Sequence, residues 1–244
     1  MSAYRKILIV CFALLLSSCA ATPSLIVKGD ISREIKQKAP VVFKVDISPD
    51  GRYVLSGSLD SFILWDILQG KKIQTFTHED FMSYGIVVAF SPDGKYFASG
   101  GKGTKLWDLT TRQEIRTFDN NPATAIAFSP DGKYLLCGGP GPFSLFNPNP
   151  PYMKIFDVAT GGEVTDFEMK NHFREAQYIW SVAYSPDGKY VLSGGTDKLV
   201  LCDTSLGKSI RTAKVNAVIR AVSFSSDGKY DDLVKSQNQH NILK

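Results

Sequence analysis

Three histidines and four cysteines are few potential ligands for a chain of 244 residues, and their positions leave still fewer. His78, His172 and His240 have no second His, Cys or carboxylate at ligand spacing, which argues against a zinc site. Cys11 and Cys19 belong to the N-terminal stretch, leaving Cys137 and Cys202, too few for a disulfide scaffold. Both are expected to be buried as small apolar residues. An excess of one charge is missing as well: 28 basic residues stand against 24 acidic ones. Loss of residues 1–18 would remove only Arg5 and Lys6, leaving 26 against 24. That balance does not build a phosphate-neutralising surface, so nucleic acid is not an expected partner. The N-terminal apolar run, Ile7 to Leu16, is only 10 residues long. As a helix it would cover about 15 Å, half of a bilayer's hydrocarbon core.

A short basic region, Arg5-Lys6, precedes that run, which is the order found in a secretory signal. The run ends in Leu16-Ser17-Ser18-Cys19, which resembles the bacterial lipobox. The resemblance implies cleavage before Cys19, diacylation of its thiol and acylation of the new amine. More than one acyl chain makes anchoring stable. Ala20 stands where an Asp would favour the inner membrane, so the resemblance points to the outer one. The expectation is a lipoprotein signal peptide over 1–18, a tether over 19–32 and lipidation at Cys19. The protein would then lie in the cell envelope, on the periplasmic side of the outer membrane. The competing reading is an ordinary cleaved signal with an incidental cysteine.

What the chain has in quantity is repetition. Ser48-Pro49-Asp50-Gly51-Arg52-Tyr53 recurs at Ser91 to Tyr96, Ser129 to Tyr134 and Ser185 to Tyr190, and at Ser225 to Tyr230 with Ser226 replacing Pro. The spacings are 43, 38, 56 and 40 residues, a period of propeller type. An apolar stretch precedes each hexapeptide (strand a), as in Val41 to Ile47 and Ile86 to Phe90. Pro second and Gly fourth predict a type I turn into strand b, which starts at the Tyr. Strand c follows at Ile63 to Asp66, Lys105 to Asp108, Lys154 to Asp157 and Val200 to Asp203. Strand d follows at Lys72 to Phe76, Glu114 to Phe118, Glu163 to Phe167 and Ser209 to Thr212.

Trp65-Asp66 and Trp107-Asp108 at this period make residues 33–230 resemble the WD-repeat family. The resemblance implies an all-β propeller of four-stranded blades packed face to face around an axis. Four complete blades and a truncated fifth are expected. In the family a His before strand a, an Asp in the b–c turn, a Ser on strand b and the Trp on strand c form a network. Repeat one has Ser56, Asp60 and Trp65 without the His, and repeat two has His78, Ser99 and Trp107 without the Asp. Repeat four has His172, Ser193 and Asp197, but Cys202 replaces Trp; repeat three has Cys137 and Phe156. Each blade therefore depends more on apolar packing.

Catalytic machinery is not found. The recurring Asp50, Asp93, Asp131, Asp187 and Asp227 are expected as turn formers that bond their own backbone, as are Asp66, Asp108, Asp157 and Asp203. Gly100-Gly101-Lys102-Gly103-Thr104 faintly resembles a phosphate loop but leads into a strand. No Ser lies in a nucleophile elbow. No cofactor is expected.

Two length irregularities stand out. From the Gly closing strand b to the last aromatic-type position of strand c takes 7 or 8 residues in repeats one, two and four, but 18 in repeat three. That insertion is Pro-rich and carries Phe143, Phe146 and Tyr152. The next d–a connection carries Phe173, Arg174 and Tyr178 and leads to Trp180. In WD propellers both connections emerge on one face, so these seven residues are the expected partner-binding site, since stiff aromatic loops make binding hot spots. The alternative is a drifting insertion that covers a blade edge.

The function expected is a noncatalytic protein–protein interaction platform, held by a lipid anchor and binding protein in the cell envelope. Two other readings stand beside it. One is a propeller enzyme or small-ligand binder using the central channel, against which the mostly apolar Phe43, Ile86, Thr124 and Trp180 argue. The other is a truncated, non-functional product. Arg33-Glu34-Ile35-Lys36 matches strand d of repeat two, Gln113 to Arg116, and could complete a last blade. The fifth repeat offers it no strand c pattern, so an incomplete ring, self-association and a disordered tail over 231–244 are expected.

Overall fold

The computed structural model describes residues 41–77, 85–141, 150–167, 169 and 178–228, together with the backbone of the strand at 231–234. Blade one is the sheet β1 (Lys44–Ile47), β2 (Tyr53–Gly57), β3 (Ser61–Asp66) and β4 (Lys71–Thr77). Blade two is β5 (Val87–Phe90), β6 (Tyr96–Gly100), β7 (Thr104–Asp108) and β8 (Glu114–Asp119). Blade three is β9 (Ala125–Phe128), β10 (Tyr134–Gly139), β11 (Tyr152–Asp157) and β12 (Glu163–Asp166). Blade four is β13 (Ile179–Tyr184), β14 (Tyr190–Gly195), β15 (Lys198–Asp203) and β16 (Lys208–Lys214). Every pairing within a blade is antiparallel between neighbours in the chain. The fold is therefore all-β, with four four-stranded blades of WD type.

A fifth unit pairs β17 (Ala221–Phe224) with β18 (Asp231–Val234). The tail expected to be disordered from residue 231 thus begins with a strand, in the position of strand b. Its polar Asp231-Asp232 start hides it from a search for apolar runs, whereas the preceding turn delivers it to the edge of β17. Residues 235–244 lie outside the described residues.

The hexapeptide makes the same turn every time. Gly51, Gly94, Gly132, Gly188 and Gly228 each donate a backbone hydrogen bond to the Ser three residues earlier, at 2.8–2.9 Å. All five have positive φ, between 67° and 72°, which favours glycine. The Ser hydroxyl bonds the Asp carboxylate in all five, at 2.6–2.8 Å. These aspartates are turn formers, as expected.

All four blades share a bulge at the same place in strand d. The ladder skips Ile73, Ile115, Val164 and Ile210 in blades one to four. A bulge adds twist and bends the strand locally, and its repetition at one position gives the four sheets a common shape.

The core lies between blades rather than within them. Blade one supplies Leu55, Phe62, Leu64 and Phe76 to a cluster with Ile86, Val88, Phe90 and Phe97 of blade two. Phe62 stacks on Phe76 with centroids 4.6 Å apart, and Trp107 meets Phe76 edge-on at 5.1 Å. Such ring pairs each add about 0.5–1.5 kcal/mol beyond area burial. Leu135, Cys137, Tyr152 and Phe156 of blade three close on Ala98 and Leu106 of blade two. Met153, Ile155 and Phe167 then meet Ile179, Val191 and Cys202 of blade four. Ile219 and Val222 of the fifth unit cover Leu192 and Leu199.

Polar joints fix the register from unit to unit. The amides of Ile86, Ala123 and Ile219 donate to the carbonyls of Ser58, Gly101 and Gly195, in the b–c turns of the preceding blades. Room for these approaches requires glycine at two strand ends. A Cβ on Gly57 would stand 2.0 Å from the Ile86 carbonyl oxygen, and one on Gly139 2.0 Å from that of Pro122.

Candidate protein-binding face

Because strands alternate in direction, the b–c turns and d–a connections emerge at one end of every sheet, opposite the Ser-Pro-Asp-Gly turns. Phe43, Ile86, Thr124, Trp180 and Arg220 occupy one repeat position there, each five residues before the Ser of its hexapeptide. Their environments differ. Ile86 and Thr124 are buried, whereas Phe43 is 43% exposed and Trp180 is half-buried.

Trp180 is the extra residue of a bulge: Ile179 pairs with Gly195 and Ser181 with Gly194, and Trp180 lies outside the ladder. The Tyr178 ring stacks on it, with centroids 5.1 Å apart and planes 29° apart. The Arg220 guanidinium lies over the Trp180 ring, 5.4 Å from its centre. The Tyr178 amide is tied to Thr196 Oγ1 at 3.3 Å, which couples this group to the b–c turn of the same blade. Two aromatic rings and a guanidinium from successive repeats thus share one small area. Tyr178 and Trp180 were legible in the sequence. Phe43 and Arg220 were not assigned, although their repeat position relative to the hexapeptide carries the signal.

The other expected site residues fare differently. Phe143, Phe146, Phe173, Arg174 and the lipidation residue Cys19 lie outside the described residues. Tyr152 does not belong to an exposed patch. It is only 8% exposed and packs between blades two and three. Its position explains this: Tyr152 is the first residue of β11, opposite Gly139, and its hydroxyl reaches the Asn121 carbonyl at 3.4 Å.

The strand-c aspartates also bond turns. Asp66, Asp108 and Asp157 accept from the amides of Gln69, Thr111 and Thr160, and Asp203 from that of Ser205, at 2.7–2.9 Å. Half of the family network is built in the first two blades: the indole N–H groups of Trp65 and Trp107 donate to Ser56 and Ser99, both at 2.9 Å. Gly100 to Thr104 is a turn into β7. Cys137 and Cys202 are free and buried, and burial pushes the Cys202 thiol up to about 12.

The central channel is more polar than the mouth positions suggest. A cavity of about 330 Å³ is lined by inner strands and includes Lys44, Asp46 and Ser181. The Asp46 carboxylate accepts from the amides of Ile47 at 2.9 Å and Phe90 at 2.7 Å, pinning blade one to blade two. Burial raises its pKa and lowers that of Lys44. Ser181 likewise accepts from the Val222 amide at 3.1 Å. The polar groups hold blades together instead of converging on an open position. Among the described residues no group of three or more His, Cys, Asp or Glu could hold a metal ion.

The family model described as "WD domain, G-beta repeat" matches residues 31–66, 70–108, 112–141 and 164–202. The chain belongs to this WD-repeat family. The matches are offset by one strand from the sheets: 70–108, for example, runs from β4 of blade one through β7 of blade two. The WD-repeat chain is 28% identical over 183 residues to "WD repeat-containing protein SL1-17" of Schistosoma mansoni, covering 73% of this chain and 56% of that protein. It is 31% identical to "MST50-interacting protein 11" of Pyricularia oryzae and 30% identical to "Small ribosomal subunit protein RACK1" of Neurospora crassa, in each case over 63% of this chain and 47% of the relative. The chain spans about half the length of these relatives. WD repeats generally mediate protein–protein interaction, and such propellers are typically noncatalytic scaffolds.

Proposed function

We propose that this WD-repeat chain is a noncatalytic platform that binds a partner protein at the channel mouth around Tyr178, Trp180 and Arg220. The observation that carries this reading is the bulge that lifts Trp180 out of its ladder, with the Tyr178 ring and the Arg220 guanidinium packed against it. Trp, Tyr and Arg are the residue types most enriched in binding hot spots. The expected site residues Phe143, Phe146, Phe173 and Arg174 lie in the sequence between β10 and β11 and between β12 and β13, outside the described residues. A relative named as an interacting protein supports the same class of function.

The proposal includes attachment to a bacterial envelope membrane through acyl chains on Cys19, supported by the order Arg5-Lys6, apolar run, Leu16-Ser17-Ser18-Cys19. Binding and anchoring are separable by experiment. Trp180→Ala should weaken partner capture without changing membrane partition. Cys19→Ala should release the chain from membranes without changing capture in detergent. An unmodified Cys19 in the intact mass of native protein would end the anchoring part alone.

A further inference from the structure

One step inside the mouth, the channel lining differs from blade to blade. The residue four before the hexapeptide Ser is Lys44 in blade one, Val87 in blade two, Ala125 in blade three and Ser181 in blade four. All four line the channel cavity of about 330 Å³. Val87, Ala125 and Ser181 are short and buried. Blade one instead places a long, half-buried cation at this level.

The other polar groups of the lining are spent on joints. Asp46, two residues further in on the same face of β1, binds the amides of Ile47 and Phe90, and Ser181 binds that of Val222. Lys44 is the exception. Among the described residues its amine makes no hydrogen bond and no ion pair. Burial alone lowers its pKa, and no carboxylate, Asp46 included, pulls it back up. A partly desolvated charge without a partner costs free energy, which a ligand of opposite charge can recover.

We infer that Lys44 holds a single carboxylate, carried on a short apolar stem, in the channel just inside the mouth. The walls select the stem: Val87, Ala89, Ala125 and Ala127 present methyl groups to the cavity. Asp46 is the one acid among the lining residues, and its like charge keeps the ligand's carboxylate at the level of Lys44. The volume lies near the lower end for small-ligand sites, about 300 Å³ upward, which suits a short chain. The carboxylate can arrive on a free short-chain acid or on a glutamate side chain of a protein docked at the mouth. The second source rests on the partner reading given above, and the first does not.

The full chain carrying 13C-methyl alanine tests this, because Ala125 and Ala127 line the cavity while Ala98 is fully buried between blades two and three. The probes are sodium butyrate, its neutral counterpart butyramide, and the peptide acetyl-Gly-Glu-Gly-amide. Butyrate or the glutamate peptide should shift the Ala125 and Ala127 resonances and leave Ala98 in place. Which of the two does so identifies the source. Butyramide should bind about tenfold more weakly than butyrate, the scale of a charge-assisted hydrogen bond. Lys44→Met keeps the stem of the side chain, removes the amine and should abolish the shifts. Channel alanines unmoved by both carboxylates, equal affinity for butyrate and butyramide, or undiminished binding to a folded Lys44→Met variant would each overturn the proposal. Should that variant displace Ala98 and so fail to fold, the butyrate and butyramide pair decides alone. Partner capture through Trp180 is not read by butyrate, so either reading can fail without the other.

Discussion

The Arg220 guanidinium lies 5.4 Å from the ring centre of Trp180, joining a cation of the fifth unit to the bulged aromatic of blade four. Such a contact contributes about 0.5–1 kcal/mol when exposed and more when a partner excludes water. The pair therefore serves binding more than folding. Trp180→Ala and Arg220→Ala should each change the unfolding free energy by about 1 kcal/mol or less. Each should weaken partner binding by about 2 kcal/mol. Denaturant unfolding beside a binding titration checks both halves.

The opposite balance holds for Trp107. Its ring packs among Phe62, Phe76 and Phe97, and its indole N–H satisfies Ser99, which is fully buried. Trp107→Phe keeps most of the packing but removes the bond to Ser99, at a cost of about 0.5–1.5 kcal/mol. Trp107→Ala should cost about 3–5 kcal/mol. Thermal or denaturant melts of the two variants order these costs, and an unchanged stability in Trp107→Phe would mean that the indole bond contributes nothing.

Gly57 and Gly139 sit where neighbouring backbone leaves no space for a side chain, with a carbonyl oxygen 2.0 Å from either Cβ position. Alanine at Gly57 must displace the approach to the next blade's entry strand, and alanine at Gly139 the approach to its own blade's β9; each should destabilise by about 1–3 kcal/mol. Gly51→Ala meets no atom within 4 Å but keeps a φ of 71°. Its cost should be limited to the left-handed backbone, about 1–2 kcal/mol. Circular dichroism melts of the three variants, with proteolysis at the blade one–two junction, separate collision from backbone strain.

Acid should loosen the turns. The hydroxyls of Ser48, Ser129 and Ser185 hold Asp50, Asp131 and Asp187 below the ordinary carboxylate value. The amides of Gln69, Thr111 and Thr160 do the same for Asp66, Asp108 and Asp157. A depressed acid contributes stability that is fully present above its unfolded value, here near 3.8, and is lost as pH falls through the folded value. The melting temperature should therefore hold from neutrality to about pH 5 and drop below about pH 4. A melting temperature that rises on acidification below pH 4 would contradict the turn-former role of these aspartates.

The repeat was legible because its hexapeptide is set by local chemistry. Ser, Asp and Gly satisfy one another within six residues, so the turn and its two strands follow from sequence alone. What lay between blades was not. Tyr152 reads as part of an aromatic loop, yet its place opposite Gly139 turns it into the core. Asp231-Asp232 reads as tail, yet a correctly placed turn pairs it with β17. Arg220 looks like any surface cation until the repeat register sets it beside Trp180.

The most direct measurement is site-specific photocrosslinking in native membranes, with a benzoylphenylalanine at Tyr178 on the channel mouth or at Asp187 on the opposite turn face. A discrete adduct should form from position 178, disappear with Trp180→Ala and Arg220→Ala, and be absent from position 187. Adducts that form equally from both positions, or from 187 alone, would show that the mouth around Trp180 is not where this propeller meets its partner.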